Sequence, residues 1–124
     1  PAAGAMLLHR YGIRISEGEM AQLANTNPWL GADVDALAIG VGRAARPAGL
    51  RCRLRRGTYD DALRLHRPFI TSFTDPNGAE GHSVLVERVE PDCIWLLDPL
   101  GGQLGGLSRR SFEKTWDRYL LWLE

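Results

Sequence analysis

Long apolar runs are missing from this 124-residue sequence, and that absence limits what the chain can be. Uninterrupted stretches such as Ala5 to Leu8 and Ile94 to Leu97 fall far short of the roughly 18 residues that suggest a membrane-spanning helix. Net charge is also missing: fifteen basic and fifteen acidic residues cancel, so no overall field recruits nucleic acid or an anionic membrane, and electrostatic recognition has to be local. There are only two cysteines, Cys52 and Cys93, with no metal-ligand spacing between them, where a disulfide framework normally needs more. A reducing compartment is the default that follows. No charged segment followed by an apolar one opens the sequence, which starts with proline; a mature or excised fragment is expected.

What is present fits one soluble globular domain, residues 1–124, with 44% hydrophobic and 24% charged residues. The first half reads as helical. Ala2 to Tyr11 is apolar nearly all round and should form a central helix, with Pro1 at its start and Gly12 as its stop. Ser16 and Glu19 make a capping-box pair for a helix from about Glu17 to Ala24, with Met20, Leu23 and Ala24 inward. After a loop from Asn25 to Gly31, the spacing of Val34, Leu37, Ala38 and Val41 predicts a third helix from Ala32 to Ala45. Gly40 and Gly42 each weaken it by on the order of 1 kcal/mol, a cost explained if another element packs closely there.

The second half reads mostly as strands. Leu50, Cys52 and Leu54 alternate with Arg51, Arg53 and Arg55, the signature of a strand with one buried face. Thr58 with Asp61 caps a short helix to about Leu65, and Phe69 to Phe73 follows as a strand. Asp75-Pro76-Asn77-Gly78 is turn chemistry. Ser83–Val89 and Cys93–Leu97, joined by Glu90-Pro91-Asp92, predict an antiparallel hairpin. Pro99 to Gly106 reads as a glycine-rich loop, Ser108 caps a helix through about Trp116, and Tyr119 to Leu123 closes the chain as a strand. Helices followed by an antiparallel sheet give an α+β class.

Folding the hairpin about Pro91 sets His82, at the entrance of its first strand, roughly opposite Asp98, at the exit of its second. Cross-strand neighbours have Cβ atoms about 5 Å apart when paired and about 7 Å when diagonal. A carboxylate that accepts a hydrogen bond from one imidazole nitrogen leaves the other free to take a proton from a nucleophile. The plainer alternative makes His82 a polar strand end and Asp98 the opening of an Asp-Pro turn.

Gly81-His82 before an apolar strand, Leu97-Asp98-Pro99 with Gly101-Gly102 after the next, and Phe112-x-x-x-Trp116-x-x-Tyr119-Leu120-Leu121 resemble a known family. It is that of the papain-like cysteine peptidase domains preceding bacteriocin-exporting ABC transporters. Pro1 to Ile13, ending in Tyr11-Gly12-Ile13, is similar to the family's first helix, and Ser16 to Leu23 to its second.

The resemblance covers essentially the whole chain and implies a papain-like fold with N-terminal helices packed on a C-terminal antiparallel sheet. It implies a thiol peptidase that cuts leader peptides after a double glycine, with His82 as general base and Asp98 as its orienter. The family's cysteine would fall two residues before Pro1, and an oxyanion-hole glutamine a few residues earlier, so the chain as written would be catalytically silent. A cysteine at the amino end of a buried helix is favoured as thiolate by the helix dipole and a nearby imidazolium. Implied partners are a leader-bearing peptide and a transporter membrane domain, on the cytoplasmic side of a bacterial inner membrane, with no nucleic acid, metal or organic cofactor.

Two other classes share this scaffold. One is a non-enzymatic domain that holds cargo, against which the presence of both His82 and Asp98 argues. The other is a different acyl-transfer enzyme using the same triad. Cys52 reads as a core thiol, and Cys93, beside the hairpin turn, sits at the far end from His82. His9 and His66 read as helix-end or surface histidines, and the Arg51, Arg53, Arg55, Arg56 row as a solvated strand face. Trp29, Trp95, Trp116 and Trp122 read as core or rim anchors, Trp29 with the option of lining a groove. Gly101-Gly102 and Gly105-Gly106 read as turn glycines rather than cleavage sites.

Overall fold

The elements follow the chain's own stop and start signals. In the computed structural model, which describes residues 2–24, 34–74, 82–99 and 102–124, five helices precede or interleave with six strands. The helices are α1 (Ala2–Arg10), α2 (Glu17–Leu23), α3 (Val34–Ala45), α4 (Tyr59–Leu65) and α5 (Arg109–Thr115). The strands are β1 (Cys52–Arg56), β2 (Phe69–Phe73), β3 (His82–Val89), β4 (Cys93–Leu97), β5 (Leu104–Ser108) and β6 (Tyr119–Leu123). They form one sheet in the order β1-β6-β2-β3-β4-β5. The architecture is α+β.

By compactness the chain divides into two units, Pro1–Leu54 with Leu121–Glu124, and Arg55–Leu120. In the first unit α1 ends as its glycine dictates. Gly12 takes φ +79°, and the amides of Gly12 and Ile13 donate to the carbonyls of His9 and Leu8 at 3.0 Å. Ala3, Leu7, Leu8, Met20, Ala24, Leu37, Val41 and Ala45 are buried, whereas Leu23 is only half-buried. Ser16 caps α2, its hydroxyl accepting from the Glu19 amide at 3.1 Å.

Gly40 answers the question its propensity raises. A Cβ there would stand 2.8 Å from the backbone nitrogen of Ala24 and 2.6 Å from the Met20 methyl. The end of α2 therefore approaches α3 too closely for any side chain at this position. Gly42 has an ordinary neighbour, the Cys52 Cβ at 3.5 Å. Helix α3 stops at Ala45, as expected, and is followed by a 3₁₀ turn, Arg46–Ala48, which Gly49 ends at φ +77°. Residues 32 and 33, where the third helix was expected to begin, the Asn25–Gly31 loop, Trp29 and the Asp75–Gly78 turn lie outside the described residues.

In the second unit Thr58 and Asp61 form a full capping box for α4. The core holds Tyr59, Phe69, Val84, Leu85, Val86, Ile94 and Phe112. Phe112 stacks edge-on against Tyr59 (6.1 Å) and Phe73 (5.5 Å). One expectation is corrected. Gly105-Gly106 are not loop or turn glycines but the middle of edge strand β5, where Gly106 pairs with Trp95 of β4. The Trp95 ring lies over Gly106, 3.1 Å from where a Cβ would be, and covers backbone that glycine leaves bare. The turn is shorter than read: Gly102, at φ +65°, donates its amide to the Asp98 carbonyl at 2.8 Å.

Candidate active site

The hairpin that carries His82 and Asp98 is closed by the connection expected from the sequence, Glu90-Pro91-Asp92, between the end of β3 at Val89 and the start of β4 at Cys93. The Glu90 amide donates to the Cys93 carbonyl at 2.8 Å. Tyr59 of α4, only 2% exposed, pins this tip by donating its hydroxyl to the Glu90 carbonyl at 2.6 Å, with the Cys93 carbonyl 3.1 Å away. Burial, and next the neighbouring Cys93, push the Tyr59 phenol up to about 12, so it stays a donor.

From this tip the ladder runs Val89↔Ile94 and Arg88↔Trp95, then shifts to Val86↔Leu96 and Leu85↔Leu97. Glu87 is the extra residue of a β-bulge. Its consequence is one of phase. Continued one step past Leu97, the observed register sets Asp98 across from Val84, with His82 its diagonal neighbour on the same side. Continued unbroken from the turn, the ladder would have set Asp98 across from Leu85, pointing to the other side of the sheet. The observed result is a contact of 2.7 Å between His82 Nε2 and Asp98 Oδ1. A carboxylate only accepts, so Nε2 carries the proton and Nδ1 is the nitrogen left for chemistry. Both side chains are 42% exposed, open to a substrate rather than sealed in the core.

The other candidates part company with this pair. Cys52 is half-buried, and burial pushes its thiol up to about 11. Cys93 donates its Sγ–H to Glu90 Oε2 at 3.2 Å, and chiefly that bond raises its pKa. Neither is poised as a thiolate at neutral pH. His66 caps α4 in a left-handed conformation (φ +52°), and His9 is exposed in the last turn of α1. Arg51, Arg53, Arg55 and Arg56 are exposed; Arg53 pairs with Glu124 at 3.2 Å, and Arg56 lies over the Tyr119 ring. Among the described residues, no group of three or more His, Cys, Asp or Glu side chains is placed to hold a metal ion.

A family model described as the Peptidase C39 family matches residues 1–124. The chain belongs to the Peptidase C39 family. Solved structures agree on its fold. The peptidase domain of Streptococcus ComA, a bi-functional ABC transporter, superposes with a TM-score of 0.79 at 21% identity, over 98% of this chain and 86% of that one. A double glycine motif protease from an AMS/PCAT transporter, in complex with its leader peptide, gives 0.71 at 16% identity, over 98% and 79%. The N-terminal peptidase C39 like domain of a toxin secretion ATP-binding protein from Vibrio parahaemolyticus gives 0.66 at 12%, over 100% and 95%. No curated protein matches the chain. This C39 chain thus has the papain-like fold of those peptidase domains, and no helix among its described residues is long and apolar enough to cross a membrane.

Sequence reasoning found both members of the pair but missed what aligns them. The bulge at Glu87 has no local signature, and the bond from the Trp116 indole to the buried Thr71 hydroxyl (2.7 Å) joins residues far apart in sequence.

Proposed function

We propose that this C39 chain is the greater part of a thiol peptidase that removes leaders from small peptides after a double glycine, with its two units serving one domain. The observation that carries the reading is the 2.7 Å contact between His82 and Asp98. Asp98 holds the imidazole of His82 by Nε2–H, and Nδ1 takes the proton of a cysteine two residues before Pro1. The thiolate attacks the carbonyl carbon of the second glycine. His82 then returns the proton to the departing amine, and water releases the leader from the acyl-enzyme with the same nitrogen as base. Side chains as small as glycine suit a narrow cleft. The likeness to peptidase domains of ABC transporters, one of them holding a leader peptide, supports a leader as substrate, a transporter as partner and the cytoplasmic face of a membrane as the place of work.

A domain that only holds cargo has no chemical use for an imidazole oriented by a carboxylate. The test is His82→Ala in the complete domain, residues before Pro1 included. Leader cleavage and alkylation of the nucleophilic thiol at neutral pH should fall by about a hundredfold or more, with the circular dichroism spectrum unchanged. Undiminished turnover would remove His82 from the mechanism, and absence of a cysteine at the stated position would favour the cargo-holding class.

A further inference from the structure

The strand beside His82 is tied down in an unusual way. Strand β2 pairs with β3 from Phe69↔Val86 to Phe73↔His82, so Phe73 is the direct cross-strand neighbour of His82. On its other side, the end of β2 is gripped by the connector between α5 and β6. The Thr74 amide donates to the Thr115 carbonyl at 2.7 Å, and the Asp117 amide donates to the Ser72 carbonyl at 3.0 Å, while Phe73 and Trp116 form an isolated bridge. Side chains repeat the backbone pattern. Trp116 donates to Thr71, the Ser72 hydroxyl donates to Asp117 Oδ2 at 2.5 Å, and the Thr74 hydroxyl donates to Asp117 Oδ1.

The connector is itself fixed at its far end. Arg118 takes a left-handed conformation (φ +68°), and Gly57 exchanges two bonds with it: its amide donates to the Arg118 carbonyl at 2.9 Å, and its carbonyl accepts from Arg118 Nε at 3.1 Å. Gly57 has no room for a side chain, since a Cβ would stand 2.5 Å from Leu120. Asp117 is therefore a half-buried carboxylate between two anchored neighbours. It spends both oxygens on hydroxyls that flank Phe73.

We infer that Asp117 is a positioning residue for His82. Its carboxylate bonds go to Ser72 and Thr74 rather than to His82 or Asp98. By clamping Ser72 and Thr74 it fixes Phe73, and with Phe73 the start of β3, at the one place where a shift of about 1 Å would open the His82–Asp98 contact. The inference rests on the proposed role of His82, and its test separates the two.

The test compares Asp117→Ala, Asp117→Asn and the double variant Ser72→Ala/Thr74→Val with His82→Ala in the complete domain, using a double-glycine leader peptide as substrate. Asp117→Ala should lower kcat about tenfold with KM nearly unchanged. It should also abolish the low-field proton resonance of His82 Nε2–H that a carboxylate partner produces. Asparagine still accepts from one hydroxyl and donates to the other, so Asp117→Asn should retain most of the turnover and the resonance. The double variant leaves the carboxylate in place and should reproduce the loss, which keeps the test open if Asp117→Ala fails to fold. Full turnover and an intact resonance in the double variant, or in a folded Asp117→Ala, would overturn the inference. If His82→Ala retains turnover, the catalytic reading has failed instead, and the resonance alone decides whether Asp117 holds His82 in place.

Discussion

Different physics dominates inside each of the two units of this chain. In the unit of Pro1–Leu54 and Leu121–Glu124, the helices meet mainly through apolar side chains and missing ones, beside a bond from Arg43 Nη1 to the Leu23 carbonyl at 2.9 Å. Gly4 lies under Leu37, Met20 and Val41, and Gly40 lies against the backbone of Ala24. In the unit of Arg55–Leu120, strands and connectors are fastened by directional hydrogen bonds from Tyr59, Ser72, Thr74, Trp116 and Arg118. A hydrogen bond weakens steeply as its angle departs from linear, so it fixes orientation as well as distance. The imidazole and carboxylate of the proposed site both lie in the second unit.

The largest effect that would test this contrast is in the first unit. Gly40→Ala gains helix propensity of about 1 kcal/mol. The added methyl nevertheless meets backbone atoms of Ala24 at 2.8 and 2.9 Å, which no side-chain rotation relieves. A net destabilisation of about 1–3 kcal/mol is expected, read from urea unfolding. Stabilisation would mean that the close approach of α2 and α3 yields freely, and that the unit is not limited by packing distance.

A comparable but differently caused loss is expected in the second unit from Thr71→Val. The change keeps the shape but removes the acceptor of the buried Trp116 N–H. An unpaired buried indole N–H costs about 1–3 kcal/mol. Adding Trp116→Phe to Thr71→Val should be far from additive, because the second change deletes a group the first has already orphaned. Additive losses would show that the two residues contribute by packing alone, and the contrast between the units would fail.

This division also explains what the sequence made legible. Periodicity and caps are local, so α1, α2, β2, β4, β6 and the Thr58–Asp61 box could be read to within a residue or two. So could the likeness carried by His82, Asp98 and the Trp116 segment. β5 was hidden because Leu104-Gly105-Gly106-Leu107 has the composition of a turn. Its strand character comes from pairing with β4 and from the Trp95 ring over Gly106, neither of which is a property of the segment itself. The hairpin taught a subtler lesson. Folding about Pro91 set His82 roughly opposite Asp98, whereas the ladder of Val89↔Ile94 and Arg88↔Trp95, continued unbroken, would turn Asp98 to the other side of the sheet. The bulge at Glu87 restores the phase. The closeness of the pair was thus legible from the two strand ends, whereas the bulge that aligns it was not.

The smallest effect concerns the two thiols, one in each unit, which are silenced in the two ways that distinguish the units. Burial raises Cys52 from the ordinary 9.0 to about 11, whereas Cys93 is raised first by its bond to Glu90. At mildly alkaline pH both should react with iodoacetamide more slowly than a free thiol. Glu90→Gln removes the carboxylate that opposes ionisation of Cys93, so alkylation of Cys93 should speed up severalfold while Cys52 stays slow, read peptide by peptide in a mass spectrometer. For Cys52 the linkage has a definite sign. The unfolded thiol loses its proton near 9.0 and the folded one near 11, so the stability this shift supplies is whole below the first value and is lost as pH rises toward the second. Cys52→Ala should remove that alkaline decline, and Cys93→Ala should leave it in place. If Glu90→Gln accelerates both thiols alike, Cys52 is not protected by packing and the two units are not held as differently as their contacts indicate.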